Sequence, residues 1–414
     1  MQLTLVNEDG RLVAKDAETN ETVPLELGET AIETLRADRS TPTRMMQVRN
    51  ASAFPGETGG EQIRAALADL PARGGTVFVP AEGPDTVSGE TGVWDVTETV
   101  RLSDGQYLVG AGPGWRIGHT GTTLKATGES PILELGGPFL NGVFDLRLDG
   151  NDTATACLDM GRERPENDFV ARNVMVHGAD GDGIRLRGAR NIWIDQCWIE
   201  ECGSEFGDGG IRTQGDTIRD SLWLTNLLFF GNIHDVVFGH DDSTTVQKVW
   251  IENMRSDTSE QHSIAQRGGA PIRDVWIVRP HISAPGVSGS GDWDAMNFAG
   301  SADSLSIVEP TIRGDGITRH AIHRESGTWT DCSVQGLTAV GLTGDSLADV
   351  TGVDNGTRTV VNGLGYNGSE NPETGGDWNS HEREGLRVSW QDDETQMLST
   401  CINGEWQNMG FIFR

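Results

Sequence analysis

Basic residues are scarce in this 414-residue sequence, which has only three lysines (Lys15, Lys125 and Lys248) and 32 basic residues against 62 acidic ones. The formal net charge of −30 disfavours binding to nucleic acid or to an anionic membrane through bulk charge. An acidic surface with so little lysine is typical of adaptation to high salt, where repulsion between like charges is screened. We therefore expect a halophilic host, with an ordinary soluble acidic protein as the alternative.

Cysteines and long apolar runs are scarce as well. The five cysteines are odd in number and match no metal-ligand spacing, so we expect small buried hydrophobic residues and neither a metal site nor a cofactor. The sequence after Met1 has no basic cluster and no apolar stretch, which predicts no signal peptide and no membrane insertion. A secreted enzyme normally needs an export signal, whereas a structural component assembled inside a host cell does not.

A repeat dominates the middle of the chain. Trp193, Trp223, Trp250 and Trp276 are spaced by 30, 27 and 26 residues, and each lies between two aliphatic residues. Because side chains alternate along a strand, the aliphatic residues would face a core and the tryptophans would face outward. A second set of short strands recurs at the same interval, beginning near Gly183. Two short strands per period of about 26 residues predict a coil that stacks on copies of itself.

The segment before the repeat carries a resemblance to a known family. A helix over residues 60–70 places Ile63, Ala66 and Leu67 on one face, and a glycine-led strand and a Leu-x-Gly-x-Gly segment ending at Gly112 follow. This order resembles the start of pectate-lyase-like proteins, and within them the tailspike and tail-fibre proteins of tailed viruses. The resemblance covers roughly residues 50–365 and implies an all-β fold, a right-handed parallel β-helix whose open end the helix caps.

Three segments follow from this reading. Residues 1–48 are expected to form a β-hairpin with a short third strand, and we expect this segment to serve for attachment or oligomer contact. Residues 49–365 form the β-helix with its capping helix. Residues 366–414 predict a small β module, since Asn403 and Gly404 give the strongest two-residue hairpin signal.

Two rows of polar residues mark the second set of strands. Outward-facing side chains that suit carboxylates and sugar hydroxyls are candidate ligand-binding groups, namely Arg185, Arg212, Gln214, Arg267, Asn297 and His323. Acidic residues recur at the corner before these strands, and we take Asp182, Asp208 and Asp235 as candidate catalytic carboxylates on neighbouring coils. The alternative is that these aspartates only stabilise tight corners by bonding their own backbone.

The aromatic row consists of Phe169, Trp193, Trp223, Trp250 and Trp276. Flat aromatic rings stack on sugar rings, so the row is one candidate glycan platform. A line of large outward apolar side chains is also what a three-fold oligomer buries, because monomers rarely leave such surfaces bare. We favour the oligomer interface, since the polar rows already offer a separate face for a ligand.

Two functional hypotheses remain open. In the first, the chain is a homotrimeric viral tailspike, tail fibre or virion surface protein that binds a cell-surface polysaccharide or glycoprotein. Its N-terminal segment would bind other virion proteins. In the second, it is an extracellular polysaccharide depolymerase, a hydrolase or lyase of the same superfamily. The catalytic motifs of polygalacturonases are missing in their proper form, and this favours the first hypothesis. The segment from Gly239 to Asp242 repeats two of their elements, but in the wrong order.

Overall fold

The structure is a computed structural model, and it divides the chain into two compact units, residues 1–46 and 47–414. The structure describes residues 47–84, 92–114, 121–136, 141–160, 168–187, 190–205, 207–214, 221–239, 245–269, 271–289, 291–344 and 346–350. For a few further strands it describes the backbone alone.

The first unit is a three-stranded antiparallel sheet. Leu3–Glu8 pairs with Arg11–Asp16 from Leu3 opposite Asp16 to Glu8 opposite Arg11, and Thr22–Val23 pairs with the second strand. The predicted hairpin and its short third strand are therefore confirmed. The use of this segment for attachment stays a prediction.

The second unit is the predicted parallel β-helix, in which each coil pairs with the coils before and after it. Each coil contributes strands to three parallel sheets, which we call the polar sheet, the tryptophan sheet and the third sheet in chain order. The strands of the polar sheet are Val100–Leu102, Leu133–Leu135, Ala156–Met160, Asp182–Arg187, Ile211–Gln214, Val236–Phe238, the starts of Ile264–Val278 and Met296–Val308, Ile322–Ser326 and Leu347–Ala348.

The other two sheets share the long strands with each other or with the polar sheet. The tryptophan sheet contains Val48–Asn50, Gly75–Phe78, Gln106–Val109, the starts of Asn141–Asp149 and Phe169–His177, Ile192–Asp195, Leu222–Thr225, Val246–Glu252, the ends of Ile264–Val278 and Met296–Val308, Ser333–Gln335 and Val360–Asn362. The third sheet contains Val93–Val96, Thr123–Ala126, the ends of Asn141–Asp149 and Phe169–His177, Trp198–Glu200, Leu228–Phe230, Arg255–Asp257, His281–Ser283, Thr311–Arg313, Thr338–Val340, Leu364–Gly365 and Arg387–Asp392.

The expectation of two strands per coil was wrong, because the third sheet adds one more. Its strands are short, as in Trp198–Glu200, and those from Trp198–Glu200 to Thr311–Arg313 each begin two residues after a single residue in the left-handed region, such as Gln196 with φ 55°. That residue turns the chain and restarts the alternation of inward and outward side chains. A strand of three residues gives too few positions for a period of two to be recognised.

Single left-handed residues also form the corner that leads from the polar sheet into the tryptophan sheet. Asn191, Ser221, Lys248, Asp274 and Ser304 occupy this position in successive coils, with φ between 49° and 59°. Asparagine and aspartate adopt this conformation more readily than other residues, since their short side chains bond the local backbone. The repeated corner keeps every coil in the same register.

The core is built from columns of stacked aliphatic side chains. In the polar sheet the inward column runs through Ile184, Ile211, Val236, Ile264 and Met296, all at most 1% exposed. Full burial of such a side chain contributes about 1.5–3 kcal/mol. The outward positions of the same strands are consequently held in one line.

A helix precedes the coils, as predicted. It spans Gly59–Ala68, begins with a capping box between Thr58 and Glu61, and buries Ile63, Ala66 and Leu67 in the core. A one-turn 3-10 helix, Ala51–Ala53, lies before it. The role of the longer helix as a cap for the solenoid stays a prediction, as do the domain boundaries.

The chain ends in an antiparallel meander. Arg387–Asp392 pairs with Thr395–Ile402, which pairs with Glu405–Phe413. The predicted hairpin across Asn403 and Gly404 is therefore present, while its predicted role in trimer closure or receptor contact is not tested by the fold.

Candidate functional site

The outer face of the polar sheet gathers charged and amide side chains in register. Arg185 pairs with Arg212 and Arg187 with Gln214 on the next coil, and further along Asn297 pairs with His323. Between them the column contains the small or apolar residues Val237 and Ala265, both fully buried. The polar face thus consists of two clusters, one around Asp182 and one around Asp294.

The first cluster is an ion-pair network centred on Asp182, whose side chain is fully buried. Its Oδ2 accepts a hydrogen bond of 2.7 Å from Arg185 Nε and lies 2.7 Å from Arg212 Nη2. Burial raises the pKa of Asp182, and the two guanidinium groups oppose that rise. Arg212 Nη1 also lies 3.5 Å from Asp208, which accepts hydrogen bonds from the backbone of a tight corner.

This geometry corrects the picture of free ligand-binding arginines and an open catalytic carboxylate at these positions. Arg185 is 9% exposed and Arg212 6%, and both are occupied by Asp182. Asp208 holds its corner through backbone amides, as the alternative reading predicted. The network therefore stabilises the sheet. Gln214 and Arg187, farther from Asp182 along the strands, are only partly buried.

Asp235 does not belong to an outward row, which is a second correction. It precedes the inward residue Val236 and its carboxylate points into the solenoid, where Ser259 and Ser256 donate hydrogen bonds to Oδ2 and Asn232 donates one to Oδ1. The side chain is fully buried, and burial raises its pKa to about 6 despite these donors. A carboxylate sealed inside the core cannot reach a polysaccharide.

The second cluster surrounds Asp294, also fully buried. Arg319 donates two hydrogen bonds to its carboxylate, at 2.8 and 2.7 Å, and Asn297 Nδ2 donates a third at 3.0 Å. His323 Nδ1 lies 2.9 Å from Asp294 Oδ2. Burial raises the pKa of Asp294, but the hydrogen bonds from Arg319 and Asn297 outweigh it and bring the pKa to about 2. Asp294 is therefore a fixed negative charge at neutral pH.

Two buried histidines continue this cluster along the coils. The rings of His234 and His262 stack at 5.5 Å, and Trp293 meets His262 edge-on at 5.2 Å. Burial lowers the pKa of His262 to about 4 and that of His234 well below its usual value, with nearby Arg267 acting in the same direction. Arg267 Nη2 lies 3.0 Å from His234 Nε2. Both histidines are neutral at physiological pH.

Sequence reasoning identified Arg267, Asn297 and His323 but missed Arg319 and the two buried histidines. A usable signal exists, because Asp182 and Asp294, the central residues of the two clusters, stand two positions before the inward aliphatic residue of their strands, as do His234 and His262. That column reads Asp182, Gly209, His234, His262, Asp294 and His320. Arg319 lies outside this column, and nothing in its local sequence indicates its contact with Asp294.

The tryptophan row is a stacked ladder on the outer face of its sheet. Trp193, Trp223, Trp250 and Trp276 are consecutive register partners. The rings of the first pair stack at 4.7 Å and those of the last pair at 4.5 Å. Trp250 is the most exposed of the large side chains here, at 38%. In each of these two pairs, one face of each ring is covered by its neighbour.

Phe169 does not extend this ladder, which corrects the predicted row. It pairs with inward-facing Ile192 and is fully buried, while Val170 pairs with Trp193 at the outer face. A shift of one residue along a strand moves a side chain to the opposite face. Phe169 therefore belongs to the core.

Comparison with known proteins supports the family resemblance at the level of fold. No protein-family model matches the sequence. The chain is similar to pectate lyase 1 of Juniperus virginiana (34% identity over 70 residues) and to probable pectate lyase 18 of Solanum lycopersicum (39% over 72 residues). These matches cover 17% of this chain and 17% and 16% of the respective relatives, so the chain spans about a sixth of their length.

Among solved structures, ORF18 of Geobacillus virus E2 is similar over 97% of this chain and 78% of its own, with 11% identity and a TM-score of 0.48. The predicted resemblance to pectate-lyase-like β-helix proteins is confirmed by the local sequence matches together with the parallel solenoid. None of the helices in the described residues has the length and apolar character of a membrane span.

Proposed function

We propose that the protein is a virion tailspike, tail-fibre or surface component that binds a host cell-surface polysaccharide on the outer face of its polar sheet. The observation that carries this proposal is the set of partly buried guanidinium, amide and imidazole groups on one face, namely Arg187, Gln214 and His323. Such groups recognise sugar hydroxyls and carboxylates. The parallel β-helix provides the rigid, extended surface that a long-chain ligand requires.

Among these side chains on the outer face of the polar sheet, Gln214 is the best suited to contact a sugar. Its side chain is partly buried, and within the described residues its buried Oε1 accepts no hydrogen bond. An unsatisfied buried acceptor costs about 1–3 kcal/mol, which a ligand hydroxyl would recover. Arg212 is a poorer choice for an experiment, because its loss would leave the buried charge of Asp182 without one of its two partners.

The tryptophan ladder supports a homotrimer as part of this proposal. Four indoles in line, stacked in two pairs, form an apolar stripe that an oligomer would bury, and the stacking covers part of the ring faces that a platform for sugar rings would need. The N-terminal unit would then attach the trimer to other virion proteins.

The binding proposal is tested with Gln214→Ala. Affinity electrophoresis in molar KCl against purified surface polysaccharides of haloarchaea and halophilic bacteria should show retardation of the wild-type protein. We expect the variant to bind about 5- to 30-fold more weakly, because a net hydrogen bond is worth about 1–2 kcal/mol. Gln335→Ala, at an exposed position of the tryptophan sheet, is the matched control and should bind normally. Equal loss in both variants, or none in either, would contradict a binding site on the polar sheet.

A further inference from the structure

The contact between Asp294 and His323 has the geometry of a general base held by a carboxylate. His323 Nδ1 lies 2.9 Å from the ionised Asp294, which favours the tautomer with its proton on Nδ1 and its lone pair on Nε2. Nε2 lies 4.0 Å from Asp349, whose side chain is 79% exposed. The basic nitrogen therefore lies on the solvent side of the ring, while the orienting carboxylate is buried behind it.

A second observation points to a ligand beside His323. Asn297 is 1% exposed, its Nδ2 donates to Asp294, and it lies 3.3 Å from His323 Nδ1. Among the described residues its Oδ1 has no hydrogen-bond partner, although it is buried. A buried acceptor beside the pair of residues is suited to a water molecule or a substrate hydroxyl. Arg319 Nη2, 3.3 Å from His323 Nδ1, adds a positive charge to the cluster.

We propose that His323, oriented by Asp294, is the general base of an ester hydrolase site that removes acyl groups, such as acetyl, from the polysaccharide bound along the polar sheet. The polysaccharide as substrate rests on the proposed function; the assignment of the base does not. Asp294 is a positioning residue here, since it acts through His323.

The reaction is a hydrolysis in which atoms balance without a further reagent. His323 Nε2 takes a proton from water as the water oxygen bonds to the acyl carbon. The tetrahedral oxyanion then expels the sugar oxygen, which receives the proton from the imidazolium. The products are a free carboxylic acid and a free sugar hydroxyl, and His323 returns to its neutral form.

The same geometry argues against two other polysaccharide reactions. Hydrolysis of a glycosidic bond uses a second, protonated carboxyl group as acid, and Asp294, with a pKa of about 2, remains ionised at neutral pH and cannot be that acid. Elimination next to a uronate needs cations that neutralise the sugar carboxylate, whereas the charge of Arg319 is already matched by its two hydrogen bonds to Asp294. Ester hydrolysis needs only one residue that accepts and returns a proton.

The test uses the full-length protein with two esters, 4-nitrophenyl acetate and acetylated xylan, and measures nitrophenol and acetate release. We expect His323→Ala to lower the rate about 100-fold or more, the usual contribution of a general base. Added imidazole should restore part of that rate, which a merely structural role would not allow. Asp294→Asn should lower kcat with KM unchanged, and Asp294→Glu should recover part of it. His281→Ala, on the third sheet, is the matched control.

Several outcomes would overturn the inference. One is release of reducing ends or unsaturated uronates without acetate, and another is a wild-type rate on 4-nitrophenyl acetate no higher than that of His323→Ala. Because the small ester requires no glycan binding, the catalytic inference and the binding proposal fail separately. Polysaccharide binding without any esterase activity would leave a spike without this activity, while esterase activity with no polysaccharide bound would remove the proposed receptor function. Thermal unfolding of each variant checks that it is folded.

Discussion

At the scale of single residues, Asp235 links burial to pH. Its carboxylate is enclosed by serine hydroxyls inside the solenoid, with a pKa raised to about 6 from the ordinary 3.8. The folded state therefore holds this proton at pH values where the unfolded chain has lost it. Its contribution to stability is fully present below pH 4 and is lost as the pH rises to about 6, by roughly 2–3 kcal/mol.

Asp235→Asn should remove this loss. We expect the difference in unfolding free energy between variant and wild type to shift in favour of the variant by roughly 2–3 kcal/mol from pH 4 to pH 7. Urea denaturation at each pH measures it, with the exposed Asp180→Asn as control. A difference that does not change with pH would show that Asp235 is ionised in the fold without cost.

At the scale of elements, the tryptophan ladder should determine the oligomeric state. Trp250 is the most exposed member, and burial of such a side chain in an interface removes about 150–250 Å² of surface per aromatic ring. Trp250→Glu should convert a trimer into monomers, as measured by light scattering after gel filtration. Val287→Glu introduces the same charge at an exposed apolar residue outside the ladder and should leave the mass unchanged. A wild-type protein that is monomeric at micromolar concentration would contradict the trimer.

The strands also show what sequence alone can and cannot predict here. The coil period could be predicted because Trp193, Trp223 and Trp250 each lie between aliphatic residues. The alternation within each strand and the spacing between the tryptophans therefore indicate the same repeat. Phe169 was misplaced, because the strand before Trp193 has apolar residues on both faces and offers no alternation to fix its register. Two further features depend on the order in which coils stack, which is set by the register of segments distant in sequence. They are the inward orientation of Asp235 and the contact of Arg319 with Asp294.

At the scale of the whole molecule, the net charge of −30 predicts a dependence on salt. The Debye length falls from about 10 Å at 0.1 M to about 3 Å at 1 M, so added KCl weakens repulsion between surface carboxylates. We expect the unfolding temperature to rise between 0.1 and 3 M KCl. The triple variant Asp152→Asn, Asp257→Asn and Asp315→Asn, at exposed positions, should need less salt for the same stability. An unfolding temperature that does not change with KCl would contradict the halophilic interpretation.

The repeated corner residues have a consequence for how such a chain can change in length. Because Leu222 and Val249 occupy equivalent positions 27 residues apart, whole coils can be gained or lost while every inward and outward column stays continuous. Each such step alters the reach of the solenoid by about 4.8 Å, the spacing of paired strands. The length of the solenoid is therefore adjustable in steps of one coil, without any change in the columns that face the core.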